Sequence, residues 1–86
     1  MNVDFTKPFN KQFEKLPHKL QKQAKAAIAL FLDDVVAPSL RNHALTGKWA
    51  GHRSISAGGD LRLHFKIVNE TTVLFVAVGS HSQLYK

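Results

Sequence analysis

The chain of 86 residues has no cysteine, a single methionine, three prolines and only six acidic residues. Without cysteine there can be no disulfide-stapled scaffold and no thiolate metal site, so stability must come from a hydrophobic core. No run approaches the roughly 20 apolar residues of a membrane span, and no N-terminal stretch has the make-up of a signal peptide. The longest apolar stretch in the first half, residues 26–32, is too short, and the chain reads as a cytoplasmic protein. Internal repeats and low-complexity tracts are also missing. What remains is an ordinary globular composition, 44% hydrophobic and 21% charged, fitting one domain over residues 1–86. A domain of this size buries roughly 60% of the surface its unfolded chain exposes, a small but sufficient core.

The shortage of acids leaves a charge imbalance. Twelve Lys plus Arg against six Asp plus Glu give +6, with five His beside them. Such a surface attracts polyanions, nucleic acid or acidic protein, most strongly at low salt. By itself it is equally the charge of a merely soluble basic domain.

Hydrophobic periodicity divides the chain into a helical first half and a β-rich second half. Residues 3–5 can form a short edge strand. Thr6 is placed to cap a helix that tolerates Pro8 in its first turn and carries Phe9, Phe13 and Leu16 on one side. Pro17 ends that helix and begins another, running to about Val35, whose Leu20, Ala24, Ala27, Ile28 and Phe31 recur at steps of three and four. Ala37 before Pro38 stops it. After a polar connector over residues 39–51 the period becomes two. Residues 52–56 make a strand, 57–60 a turn, and 61–68 a clear alternation in which Leu61, Leu63, Phe65 and Ile67 oppose Arg62, His64 and Lys66. Residues 69–72 make a hairpin loop into a strand over 73–78 that is apolar on both faces and therefore central. The expected architecture is α+β, an N-terminal helical hairpin packed on a small antiparallel β-sheet.

This arrangement turns Arg62, His64 and Lys66 away from the helices. His52 and Arg53 join them from the preceding strand, with His43 and Lys48 before it and His81 and Tyr85 after the last. A cationic sheet face with imidazoles and a phenol suits RNA cleavage by the ribose 2′-hydroxyl. That reaction needs a proton acceptor, a proton donor for the departing 5′-oxygen, and cations for the charge on phosphorus. Each residue also has a plainer reading. Strand arginines and lysines protect edges, His64 can be a solvated cross-strand neighbour, Trp49 can cap the core edge instead of stacking on a base, and Asp60 beside two glycines is a common turn residue. The histidines match no zinc spacing and HExxH is absent, so neither a metal nor another cofactor is expected.

The motifs Asn42-His43-Ala44-Leu45-Thr46-Gly47-Lys48-Trp49-Ala50-Gly51-His52-Arg53, Gly59-Asp60-Leu61-Arg62-Leu63-His64-Phe65 and Val78-Gly79-Ser80-His81-Ser82-Gln83-Leu84-Tyr85 resemble the RelE/ParE superfamily of bacterial toxins. Within it they are most like the YafQ-type messenger-RNA interferases of type II toxin–antitoxin pairs. The resemblance implies a cytoplasmic endoribonuclease that cuts messenger RNA, usually on the ribosome, and is restrained by a cognate antitoxin. It assigns His43, Asp60 and His81 to the catalytic set, Tyr85 to positioning the RNA, and Arg62 to the phosphate, as in RelE proper. Lys48, Trp49, His52, Arg53, His64 and Lys66 are then candidates for RNA contact. The chain departs from the YafQ-like pattern at Ser56, where that pattern has histidine, at Leu61, where it has tryptophan, and at Ala77, where it has arginine. Arg62 and His64 are the neighbouring residues able to compensate. The alternative is a ParE-like toxin that inhibits gyrase with no RNA-cleaving site.

Overall fold

The computed structural model describes residues 1–85. The elements run β1 (Asn2–Phe5), α1 (Lys7–Glu14), α2 (His18–Asp33), β2 (His43–Ala44), β3 (Arg53–Ser56), β4 (Leu61–Asn69), β5 (Thr72–Ser80) and α3 (His81–Leu84), with short 3₁₀ turns at Pro38–Leu40 and Gly47–Trp49. One five-stranded sheet has the order β1-β5-β4-β3-β2. The expected α+β class holds, and β5 is central as its apolar faces require. One pair departs from the antiparallel expectation: β1 runs parallel to β5, because α1 and α2 return the chain across the sheet before it re-enters.

Local chemistry explains how α1 is fixed. The Thr6 hydroxyl accepts from the Phe9 amide at 3.2 Å and donates to the Val76 carbonyl at 3.3 Å, capping the helix and tying it to β5. Beyond the end of β1, the Val78 amide would be unpaired on that edge. The Gln12 side-chain oxygen accepts from it at 2.9 Å, so α1 completes the edge of the sheet. Helix α2 ends at Asp33, slightly earlier than its apolar pattern implies, when the Asp34 carboxylate accepts from the Val36 amide and turns the chain.

The core lies between the two helices and one sheet face, on Phe9, Ala24, Ala27, Phe31, Ile55, Leu61, Leu63, Phe65, Val73, Phe75 and Val78. Phe31 meets Phe65 and Phe75 edge-on at 4.9 and 5.7 Å between ring centroids. Ile67, expected to continue the buried stripe, is 59% exposed. Opposite it, β5 supplies inward residues Val73 and Phe75, and then the ladder slips: Phe65 faces Phe75 while His64 faces Ala77, leaving Val76 unmatched. This bulge changes the parity of β5, so Val78 joins the core while Ala77 turns to the far face beside His64.

Candidate functional site

Register places the candidate residues without appeal to side-chain detail. His43 pairs with Ser54, Ser54 with His64, and His64 with Ala77, a row across β2, β3, β4 and β5. Directly opposed residues share a face, so His43 and His64 lie on the face away from the helices, with Arg62 and Lys66 two residues to either side of His64. Arg53 does not. It pairs with Phe65 on the core-facing side, and its Nε donates to the Asn42 side-chain oxygen at 2.8 Å, so the expectation that it joins the cationic face is corrected.

At the end of β5 the sequence builds a sharp turn. The Ser80 hydroxyl accepts from the Gln83 amide while the Gln83 side-chain oxygen accepts from the Ser80 amide, a reciprocal cap that starts α3. Gly79 makes this possible: a Cβ there would lie 2.9 Å from the Gln83 oxygen. The four-residue spacing then brings the rings of His81 and Tyr85 together at 4.4 Å between centroids, tilted by 32°, and the His81 amide donates to the Asp60 carbonyl at 3.1 Å. Arg62 bends its guanidinium over the neighbouring turn between β3 and β4, its Nη1 donating to the Gly59 carbonyl at 2.8 Å and the Ser56 hydroxyl at 3.3 Å. Asp60, Arg62, His81 and Tyr85 thus gather at one end of the sheet, and His81, Tyr85 and Asp60 are exposed.

His43 stands apart on the edge strand. At about 4.8 Å per strand, its row puts roughly 14 Å between β2 and β5. Its Nδ1 lies 2.7 Å from the Arg41 carbonyl. A carbonyl only accepts, so Nδ1 carries a hydrogen, which leaves Nε2 as the nitrogen at the exposed sheet edge that can exchange a proton.

His64 is not on an open surface. It is 0% exposed, covered by Trp49 at 4.5 Å and Tyr85 at 5.4 Å between ring centroids. Small neighbours on both sides, Ser54 and Ala77, make the room. His52 meets Trp49 edge-on at 5.5 Å, and the indole N–H donates to the Leu84 carbonyl at 2.9 Å. Five rings therefore run in contact from His52 through Trp49, His64 and Tyr85 to His81. Lys48 holds its ammonium 5.9 Å from the Trp49 ring centre, and Lys66 is exposed further along β4.

Burial pushes the His64 imidazole down to about 4, with the nearby His52, His43 and His81 adding to the shift. It is neutral at pH 7 and carries none of the charge on this face. The linkage has a definite sign. Above pH 6.5 both folded and unfolded chains hold this ring neutral. Below it only the unfolded chain takes up the proton, so stability falls until about pH 4. We expect this one group to remove on the order of 3 kcal/mol across that window. Urea titrations of the wild type and His64→Phe will check it: the variant should lose less stability between pH 6.5 and 4.5. Equal losses would show that another group is responsible.

Among the described residues no three His, Asp or Glu side chains are grouped to hold a metal ion, and no helix is long and apolar enough to cross a membrane. A cleft of about 640 Å³ lies between the helices and the turn before β4, lined by Lys15, Leu20, Gln23 and Asp60. Of the candidate set only Asp60 lines it. The feature sequence reasoning missed is α3, too short for periodicity to reveal, although Ser80 and Gln83 at capping spacing announce it.

Comparison with known proteins agrees with this geometry. The sequence matches over residues 1–86 the family described as the bacterial toxin of type II toxin–antitoxin system, YafQ. A mutant YafQ from E. coli superposes with TM-score 0.83 at 19% identity, covering 99% of this chain and 98% of that one. YafQ in the E. coli DinJ–YafQ complex gives 0.80 at 20% identity, with 99% and 98% covered. A metal-bound toxin from Helicobacter pylori gives 0.71 at 28% identity, with 98% of each chain covered. No curated protein matches the sequence. Matched along its whole length, the chain belongs to the YafQ family of toxins from bacterial type II toxin–antitoxin systems.

Proposed function

We propose that this toxin is a messenger-RNA endoribonuclease working by internal attack of the ribose 2′-hydroxyl. The observation that carries the reading is the gathering of Asp60, Arg62, His81 and Tyr85 at the end of β4 and β5, with His43 facing the same side from the sheet edge. In the step, the 2′-hydroxyl gives its proton to the Asp60 carboxylate of the gathered set as that oxygen bonds to phosphorus, while His43, roughly 14 Å across the strands from β5, holds the RNA at the sheet edge. The bond from phosphorus to the 5′-oxygen breaks, and His81 protonates the leaving oxygen, producing a 2′,3′-cyclic phosphate and a 5′-hydroxyl. Arg62 stabilises the charge on the phosphoryl oxygens. Its guanidinium is already oriented by the Gly59 and Ser56 oxygens, so little side-chain freedom is lost when phosphate arrives. Asp60 supplies the carboxylate at the start of β4, and Tyr85 offers its ring to a base beside the scissile bond. The +6 surface draws in messenger RNA, on the ribosome or free, and equally an acidic segment of a cognate antitoxin that silences the toxin in the cytoplasm.

Every group in this scheme is an imidazole, a guanidinium or a carboxylate of the chain. Toxin freed from antitoxin should therefore cut messenger RNA at an undiminished rate in EDTA and leave 5′-hydroxyl ends. Loss of cleavage on chelation, or 5′-phosphate products, would overturn the scheme.

A further inference from the structure

The ring cluster contains an anomaly that the cleavage step does not use. Among the described residues four buried polar atoms have no hydrogen-bond partner: both ring nitrogens of His64, the Ser54 hydroxyl and Nδ1 of His52. Burying such a group without a partner costs about 1–3 kcal/mol, and native cores rarely leave several together. All four lie on one sheet face, Ser54 directly opposite His64 and His52 two residues along the same strand. Trp49 lies against both His64 and His52, with Tyr85 on the other side of His64.

The indole is a poor match for what it lies against. Its one N–H is turned to the Leu84 carbonyl, and the rest of its edge offers His64, Ser54 and His52 neither a donor nor an acceptor. A nucleobase is a flat aromatic body of similar thickness whose edge carries both. A neutral imidazole presents one donor and one acceptor, and the Ser54 hydroxyl presents either, which is the complement such an edge requires. The segment bearing Trp49 also lies at the surface. Its other residues, Thr46, Gly47, Lys48, Ala50 and Gly51, are exposed. Gly47 and Gly51 flank Trp49 with φ of 65° and 88°, a backbone region in which glycine moves at little steric cost.

We infer that Trp49 is a placeholder: residues 46–51 form a flap that swings on Gly47 and Gly51, and a base of single-stranded RNA takes the place of the indole against His64, Ser54 and His52. The displaced indole, with Lys48 beside it, is then free to stack on the same or the neighbouring base. Opening gives up the indole bond to the Leu84 carbonyl and the edge-on ring contacts of Trp49, and it lets the buried polar atoms find partners, so a ligand that supplies those partners favours the open position. This rests on RNA being the ligand of the toxin, and it adds a base-reading pocket to the cleavage residues.

Trp49 is the only tryptophan in the chain, so its fluorescence reports the flap directly. The full chain is titrated with a 2′-O-methyl hexanucleotide, which lacks the attacking hydroxyl, and with an abasic chain of the same length. Binding is followed separately by anisotropy of labelled probe. The base-bearing probe should shift Trp49 emission to the red and raise its quenching by acrylamide at least twofold. The abasic chain should bind through its phosphates and leave the emission unchanged. His64→Phe, which keeps a ring but no nitrogens, should lose the shift and bind the base-bearing probe about tenfold more weakly, and Ser54→Ala, a smaller change less able to disturb folding, should weaken it about threefold. The inference is overturned if emission stays fixed at saturation, if the abasic chain produces the same shift, if both variants bind like wild type, or if the base-bearing probe does not bind. Cleavage of messenger RNA is measured on the same preparation. Cleavage with an unmoved Trp49 sinks the pocket and keeps the nuclease, and a moved Trp49 without cleavage does the reverse.

Discussion

Phe75→Ala should remove a large share of the stability of this domain. Phe75 is fully buried on the central strand and its ring meets those of Phe5, Phe9, Phe31 and Phe65 at 5.4–6.0 Å. Truncating such a ring costs about 3–5 kcal/mol, from lost transfer energy plus the cavity that neighbours on a rigid sheet cannot close. A domain of this length has on the order of 4–13 kcal/mol in total. Urea unfolding at unchanged m-value should therefore show the midpoint fall by about a quarter or more, and the melting temperature drop by roughly 15–30 °C. Val36→Ala, at a residue 74% exposed, should stay within about 0.5 kcal/mol and serves as the control. A Phe75 loss under about 1 kcal/mol would mean that the aromatic cluster is looser than described. The effect extends to the site, since the next residue along β5 is the unmatched Val76, whose bulge turns Ala77 toward His64.

What the sequence announces and what it conceals divide along physical lines. Thr6 and Pro8 at a helix start, Pro17 between helices and the alternation of Leu61, Leu63 and Phe65 are local signals, and the fold follows them. Arg53 was misplaced because its face depends on a register that only the β3–β4 pairing determines: opposite Phe65 it must point inward. His64 alternates correctly with its neighbours yet is buried, because the second sheet face is covered by a turn and a helix of three and four residues, both too short to leave a periodic trace. The β5 bulge is equally silent in a run where every residue from Val73 to Val78 is apolar. The compensation expected at Ala77 also changes character. His64 does lie opposite that position, but as a neutral ring it cannot replace the charge of an arginine. Arg62, held at Ser56, is the cation that remains on that face near the turn.

Replacing His81 by alanine should lower the single-turnover rate of messenger-RNA cleavage on the order of 10²-fold, the usual scale of help from a positioned acid or base. The reason to expect so large a kinetic effect beside a small structural one is the position of the side chain. Its ring is exposed and lies against that of Tyr85, while the backbone turn beneath is held by the Ser80–Gln83 cap and the buried Leu84, so the variant should unfold within about 0.5 kcal/mol of wild type. Two further readouts separate chemistry from scaffolding. In the wild type a catalytic imidazole puts a limb on the pH profile, and in His81→Ala that limb should disappear. Tyr85→Phe keeps the neighbouring ring and should cost less than tenfold, which distinguishes support of the His81 ring from a proton-transfer role for the phenol. A His81→Ala rate within threefold of wild type, or an unchanged pH profile, would remove His81 from the proton-transfer step. The leaving oxygen would then need another donor on this face, and His64, neutral and covered, could provide it only with the Trp49 flap open.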